Sequence, residues 1–146
     1  VKYTKATNYA LHTIVYLAVL PAGKTIGVKP LAEIQKVSPT YLSKVLTNLV
    51  KSGFIESVTG VNGGYKLIKA PKEITFLEII HAIEGTTSLF HCSLDNDIHD
   101  RQNCLIEKVM NEAEEKMEDY LRTQTIEQVV EKVHDNMVQH INSVAN

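Results

Sequence analysis

A mainly α fold with a small β-hairpin is predicted: a winged helix-turn-helix domain plus a long C-terminal dimerisation helix. Three observations lead there. The stretch Ser38–Tyr65 (SPTYLSKVLTNLVKSGFIESVTGVNGGY) reads as a helix, a short strand, a glycine turn and a second strand. Two helical patterns precede it, the second separated from it only by Lys36-Val37-Ser38, the length of the tight turn in a helix-turn-helix. Beyond Cys104, Ile106, Met110, Ala113, Met117 and Tyr120 recur at alternating steps of four and three, a heptad-like seam.

The elements follow in order. Residues 5–20 give a first helix with a wide apolar stripe from Tyr9 to Leu20, stopped by Pro21-Ala22-Gly23. Thr25–Val28 reads as a short extended or loop piece, and Pro30–Gln35 as a short helix. In the third helix Ser38 is the N-cap and Pro39 takes the first helical position, where a missing N–H costs nothing. Leu42, Val45, Leu46 and Leu49 form its buried face. Gly53 ends it, Phe54–Val58 alternates as a strand, Asn62-Gly63-Gly64 marks the turn, and Tyr65–Ile68 returns. Thr75 and Glu78 have capping-box spacing, opening a helix that stops at Gly85. Residues 86–103 have little periodicity and read as a long loop. A long helix runs from Cys104 to Leu121, and a second capping box, Thr125–Gln128, opens one further helix with Ile126, Val129, Val130, Val133, Met137 and Ile141 on one face. The expected division is a winged helix-turn-helix at 1–85, a sensor loop at 86–103 and dimerisation helices at 104–146.

Composition narrows the function classes. With 146 residues, 44% apolar and 22% charged, the chain is an ordinary globular protein with a net charge of only −2. The charge is unevenly spread. Residues 1–72 hold ten Lys and two acids, a net +8; residues 73–146 hold five cations and fifteen acids, a net −10. A basic half of this kind points to a polyanionic partner, with the acidic half kept away from it. Two cysteines are too few for a secreted disulfide scaffold. No signal peptide is visible, and the apolar run Leu11–Leu20 is too short to span a bilayer. A cytoplasmic location and no membrane partner are expected. No phosphate loop, zinc-binding spacing or nucleophile–base–acid set is present, so an enzyme is not expected.

The exposed face of the third helix carries Thr40, Tyr41, Ser43, Lys44, Thr47, Asn48 and Lys51, and no acid. Such a face suits double-stranded DNA, whose major groove presents hydrogen-bonding base edges between phosphates. Ser38, Thr40, Tyr41, Ser43 and Lys44 are the candidates for base and phosphate contact. Thr47, Lys51 and the wing residues Thr59, Asn62, Gly63 and Lys66 are the candidates for backbone contact. The apolar stripe Ile106, Met110, Ala113, Met117, Tyr120 and Leu121 needs a partner, and a second copy on a two-fold axis is the simplest one. The alternative from another class is a protein-interaction module of winged-helix fold that has lost DNA readout.

The stretch Leu31–Gly85 resembles the Rrf-two family of bacterial winged-helix regulators. The resemblance rests on Ser38-Pro39-x-Tyr41-Leu42, on the wing Gly60–Tyr65 (GVNGGY), on Ile74–Gly85 (ITFLEIIHAIEG) and on Asn8–Leu11 (NYAL). It implies a homodimeric DNA-binding repressor, or an activator, answering a redox, iron–sulfur, nitrosative or thiol signal. Two departures stand out. Thr59 occupies the place of a wing arginine that would enter the minor groove. The sensor loop keeps Cys92 and Cys104, the outer pair of three cysteines, with Ile98 at the middle position and Glu107 at a further ligand position.

Three readings of the cysteines stay open. Cys92 and Cys104, the latter near a helix N-terminus, form a redox thiol pair. Or they hold an iron–sulfur cluster with mixed ligands, drawn from His91, Asp97, His99, Asp100, Glu107 or a second copy's Asn8 or His12. Or they are ordinary, partly buried small apolar residues. No metal or cofactor is assigned. His134 and His140 read as surface residues.

Overall fold

The structure is a computed structural model that describes residues 3–96 and 98–146. Its elements run α1 (Lys5–Ala18), α2 (Val28–Gln35), α3 (Pro39–Lys51), β1 (Ile55–Val58), β2 (Gly64–Leu67), α4 (Phe76–Glu84), α5 (Leu105–Thr123), α6 (Ile126–Val130) and α7 (Asp135–Val144). Short 3-10 turns lie at Pro71–Glu73 and Arg101–Asn103. The mainly α winged helix predicted above is the fold observed.

The core is built where α1, α3 and α4 cross. Ala10, Ile14 and Leu17 of α1 meet Leu42, Val45, Leu46 and Leu49 of α3 and Ile79 of α4, with Leu31, Phe54 and Ile55 filling in around them. The side chains from α1 and α3 carry the 3/4 spacing seen in the sequence, so the apolar stripes of these two helices are spent on this one cluster, while α4 also buries Leu77 and Ile80 outside it. α3 starts as expected. The Ser38 hydroxyl oxygen accepts from Tyr41 N at 3.1 Å, and Pro39 sits in the first turn.

Between α2 and α3, Lys36 takes a left-handed conformation at φ 55°, the only non-glycine with positive φ among the described residues. It aims the α2 end so that Val37 N reaches Ala32 O at 3.0 Å. That closes the tight turn of the helix-turn-helix.

Four local details differ from the sequence expectations. The extended piece at 25–28 is shorter than expected. Ile26 bridges Tyr65 as a third, one-residue strand, with N···O distances of 3.1 and 2.8 Å, and α2 already begins at Val28. Pro30 therefore sits inside the first turn of α2, where N–H groups have no helical partner to lose. At α4 the box is half formed: Glu78 N donates to Thr75 Oγ1 at 3.2 Å, but the Glu78 carboxylate faces Lys69 Nζ at 3.6 Å.

The box at Thr125 is complete, with Thr125 N on Gln128 Oε1 at 3.0 Å and Gln128 N on Thr125 Oγ1 at 3.4 Å. The helix behind it is broken in two. His134 is extended at φ −73°, ψ 145°, and its Nδ1 accepts from Asn136 N to restart the helix as α7. The break turns the apolar residues of both pieces toward one body. Ile126 and Ile141 are buried, and Val129, Val130, Val133 and Met137 lie against the central core.

Backbone bonds tie this return to the N-terminal unit: Phe76 N to Gln124 O and Ile126 N to Ile74 O, both at 2.9 Å. At the far end Asn146 straps the wing. Its N donates to Thr25 O at 2.8 Å, and its Nδ2 donates to Gly63 O at 2.5 Å and Thr25 Oγ1 at 3.4 Å.

Candidate functional site

The DNA-reading candidates gather on one side of α3 and the wing. Thr40, Lys44, Thr47, Asn48 and Lys51 are exposed, and Ser43 is half-buried. Several have local duties. Ser38 Oγ is taken up as an acceptor by the cap, and Thr47 Oγ1 donates to Ser43 O at 2.8 Å. Tyr41 is half-buried, its ring edge-on to Tyr9 at 5.7 Å between centroids, so its position is set by packing. Lys44 and Lys51 have no ion pair among the described residues, and no acid shares their face.

The wing is a two-stranded antiparallel hairpin, Ile55 opposite Leu67 and Val58 opposite Gly64. Thr59 and Asn62 are exposed on its turn. Its glycines are demanded by the fold itself. A Cβ on Gly63 would lie 2.5 Å from Val58 O, and one on Gly64, at φ +150°, would lie 2.7 Å from the Ile26 backbone. Lys66 is half-buried and pairs across the hairpin with Glu56 at 3.4 Å. Lys69 lies over the Phe54 ring, 5.3 Å from its centroid.

The dimer-stripe candidates all lie on α5, and most are in the open. Ile106 is 66% exposed, Met110 43% and Tyr120 64%, with Leu105 and Val109 beside them at 76% and 64%. Ala113 is exposed, while Met117 and Leu121 are half-buried. The one residue α5 buries is Glu114, which accepts from Leu89 N at 2.9 Å. Other polar contacts dock the helix: the Tyr3 hydroxyl donates to the Met117 sulfur at 3.0 Å, and His81 Nε2 lies 3.5 Å from Glu118 Oε2.

The loop before α5 folds its two cysteines onto the helix start. Cys104 is the N-cap of α5, and its sulfur accepts from Glu107 N at 3.4 Å. The Glu107 carboxylate reaches back to accept from Cys92 N at 3.1 Å. Cys92 Sγ lies 3.0 Å from His99 Nε2 and 3.7 Å from Leu94 O. The donor atoms of Cys92, His99 and Cys104 all lie within 4.8 Å of one another, and the thiols are not bonded.

The two thiols are driven apart in acidity. Hydrogen bonding from the Glu107 backbone, aided by Cys92 and the Ile106 N–H, holds Cys104 below the usual thiol range against burial. At Cys92 a hydrogen bond with the Leu94 backbone pulls downward, but burial, Cys104 and the Glu107 carboxylate together push the thiol up.

Of the other proposed ligands, His91 is exposed, Asp100 is spent on Gln102 N and Asn103 Nδ2, and His12 bonds Asn8 O within its own helix. Asp97 lies outside the described residues. Ile98, at the middle cysteine's position, is 96% exposed and offers no donor. Two sulfurs and one imidazole converging on a single point fall short of the usual four ligands of an iron–sulfur cluster. His99 is the one of the mixed ligands named from the sequence that the fold brings to both sulfurs; six and four residues separate it from the two cysteines, a spacing that matches no compact metal motif and did not single it out. Its signal is the Asn96–His99 turn, which swings the ring back over Cys92.

A three-helix unit with an acid-free third helix and a glycine-tipped hairpin defines a winged-helix, DNA-binding transcriptional regulator. Comparison with known proteins narrows this. Residues 3–132 match the family described as "Rrf2: Iron-dependent Transcriptional regulator". The chain belongs to the Rrf2 family.

It is 36% identical over 106 residues to the HTH-type transcriptional regulator NsrR of Halalkalibacterium halodurans, covering 73% of this chain and 70% of that one. It is 28% identical over 134 residues to the putative HTH-type transcriptional regulator YwgB of Bacillus subtilis, covering 90% and 86%. Its fold is similar to the solved structure of T. potens IscR, with a TM-score of 0.74 at 24% identity over 93% of this chain and 90% of that one. The family is one of transcriptional regulators, and no helix among the described residues is long and apolar enough to cross a membrane.

Proposed function

We propose that the chain works in the cytoplasm as a homodimeric repressor on a near-palindromic operator, with its signal entering at the Cys92–Cys104 loop. The observation that carries this is the pairing of two open faces: the acid-free polar face of α3 and the apolar stripe of α5. α3 enters the major groove, with Ser38, Thr40, Tyr41, Ser43 and Lys44 toward bases and phosphates. Thr47, Lys51, Thr59, Asn62, Gly63 and Lys66 contact the backbone. Both backbone groups of Gly63 are engaged, its N–H by Gly60 O at 3.0 Å and its carbonyl by Asn146, so its part is to let the turn come close to a phosphate without a side chain in the way. Ile106, Met110, Ala113, Met117, Tyr120 and Leu121 pair two copies along α5, which sets the half-site spacing. The family description, an iron-dependent regulator, supports a redox or metal-status input at the loop.

The test is a mobility shift against a pool of random duplexes, repeated across salt. The expected outcome is enrichment of a two-fold site and a steep loss of affinity with salt, from counterion release by several lysines. A salt-insensitive affinity, or enrichment of a single unpaired half-site, overturns the reading.

A further inference from the structure

We propose that Cys92, His99 and Cys104 form a site for one thiophilic divalent cation of the Zn²⁺ class, with a fourth coordination position open to the adjoining cleft. The geometry is the first argument. A tetrahedral ion with metal–sulfur bonds of about 2.3 Å and metal–nitrogen bonds of about 2.0–2.1 Å needs its donors roughly 3.4–3.8 Å apart. Here the three donors lie within 4.8 Å of one another, Cys92 Sγ and His99 Nε2 at 3.0 Å, so sub-ångström to ångström shifts seat an ion. A polynuclear cluster binds its ligands on different irons, spread by the bridging sulfides, and the middle position that would widen this set holds Ile98.

The chemistry is the second argument. Two sulfurs and an imidazole are the donors that thiophilic ions select over Mg²⁺ or Ca²⁺. Cys104 is the N-cap of α5, and its sulfur is held at the helix start by Glu107 N at 3.4 Å, aimed at the other two donors. Cys92 gives up its proton to solvent when the ion arrives. Glu107 acts as a positioning residue: it holds the backbone of Cys92 with its carboxylate and the sulfur of Cys104 with its N–H.

Access is the third. A cleft of about 920 Å³ opens beside both cysteines, lined also by His91, Asp95, Arg101 and Lys108. With three protein ligands the ion keeps one exchangeable position, the arrangement that admits an outside ligand. The cleft sets Arg101 and Lys108 among five carboxylates, Asp95, Asp100, Glu107, Glu112 and Glu115, so a soft ligand there is chosen by the ion and not by the charge of the lining.

The site itself stands on these residues alone; its use as the signal input rests on the function proposed above. The test uses the full chain, reduced and metal-free under argon, titrated with Co²⁺ as the spectroscopic probe and then with Zn²⁺. Expected are thiolate-to-cobalt charge-transfer bands and the intense visible bands of tetrahedral cobalt, saturating at one ion per chain and bleached by Zn²⁺. Bound Zn²⁺ protects both thiols from alkylation, read by mass. Cys92→Ser and His99→Ala each abolish the saturating spectrum, whereas Glu107→Gln weakens affinity by about 10- to 100-fold. Helical circular dichroism confirms that each variant is folded.

The proposal is overturned if cobalt gives no tetrahedral spectrum. It is equally overturned if His99→Ala binds as wild type, or if iron and sulfide yield a stable cluster of two or more irons per chain that excludes Zn²⁺. Operator affinity is measured on the same samples. An unchanged cobalt spectrum with no operator binding in any metal state rejects the regulatory reading and leaves the site intact.

Discussion

α3 and α5 are both amphipathic helices begun by a side-chain cap, and they use their faces in opposite ways. α3 buries its whole apolar face, Leu42, Val45, Leu46 and Leu49, and offers polar side chains to the outside. α5 buries only Glu114 and leaves Leu105, Ile106, Val109, Met110 and Tyr120 in the open. Helical periodicity alone does not say which face meets solvent. What decides is whether the rest of the chain supplies an apolar surface to pack against. α1 and α4 supply one for α3, whereas α5 sits outside that core on polar docking contacts. The face left over therefore differs: polar and free of acids on α3, apolar on α5.

The contrast can be broken most sharply with one substitution made on both helices. Leu46→Ala is expected to cost about 2–5 kcal/mol of unfolding free energy, by loss of buried methylenes and the cavity left behind. Leu105→Ala, on the open stripe, is expected to stay within about 0.5 kcal/mol in the isolated monomer. Urea denaturation at low protein concentration measures both. Equal costs would mean that α5 is packed within its own chain.

Next in size is Met110→Glu, which puts charge into the stripe. Sedimentation should show monomers with unchanged helical content, and operator affinity should fall by about 100-fold or more as the second half-site is lost. The caps give a smaller effect. Ser38→Ala should cost about 1 kcal/mol of stability by leaving Tyr41 N unsatisfied. Lys44→Ala should leave stability untouched, weaken operator binding several-fold and lower the salt slope by about 1.

The smallest expected effect is the order in which the metal-free thiols react. Cys104 has the lowered pKa and Cys92 the raised one, so as pH rises the Cys104 thiolate forms first. Alkylation followed by peptide mass mapping should label Cys104 at a lower pH than Cys92, and the reverse order would contradict the N-cap electrostatics.

Local signals carried most of the DNA-binding unit. Ser38-Pro39 marked the start of α3, the apolar repeat marked its buried face, and Asn62-Gly63-Gly64 marked the hairpin turn. These residues act through their immediate neighbours, so a one-dimensional reading finds them. Long-range features were not legible. Ile26 pairs with Tyr65 across 39 positions of sequence, and nothing in TIGV distinguishes that strand from a loop. The interruption at His134 was hidden because the apolar repeat from Ile126 to Ile141 keeps helical phase across it.

The same limit applied to the candidate sites. Cys92 and Cys104 were visible as residue types, but only the folded loop brings His99 to them. Glu78 shows the converse: its spacing satisfies a capping box, yet the nearby Lys69 draws its carboxylate away.

The Asn146 strap gives the wing a mechanical anchor. The hairpin turn is gripped from outside by an amide more than 80 residues further along the chain, so the wing's tilt is tied to where α7 ends. Any segment joined after residue 146 leaves from beside the hairpin, on the flank of the surface proposed to meet DNA. A purification handle fused there would therefore act as a wedge against the wing, and binding data from such a fusion would report on the tag as well as on the protein.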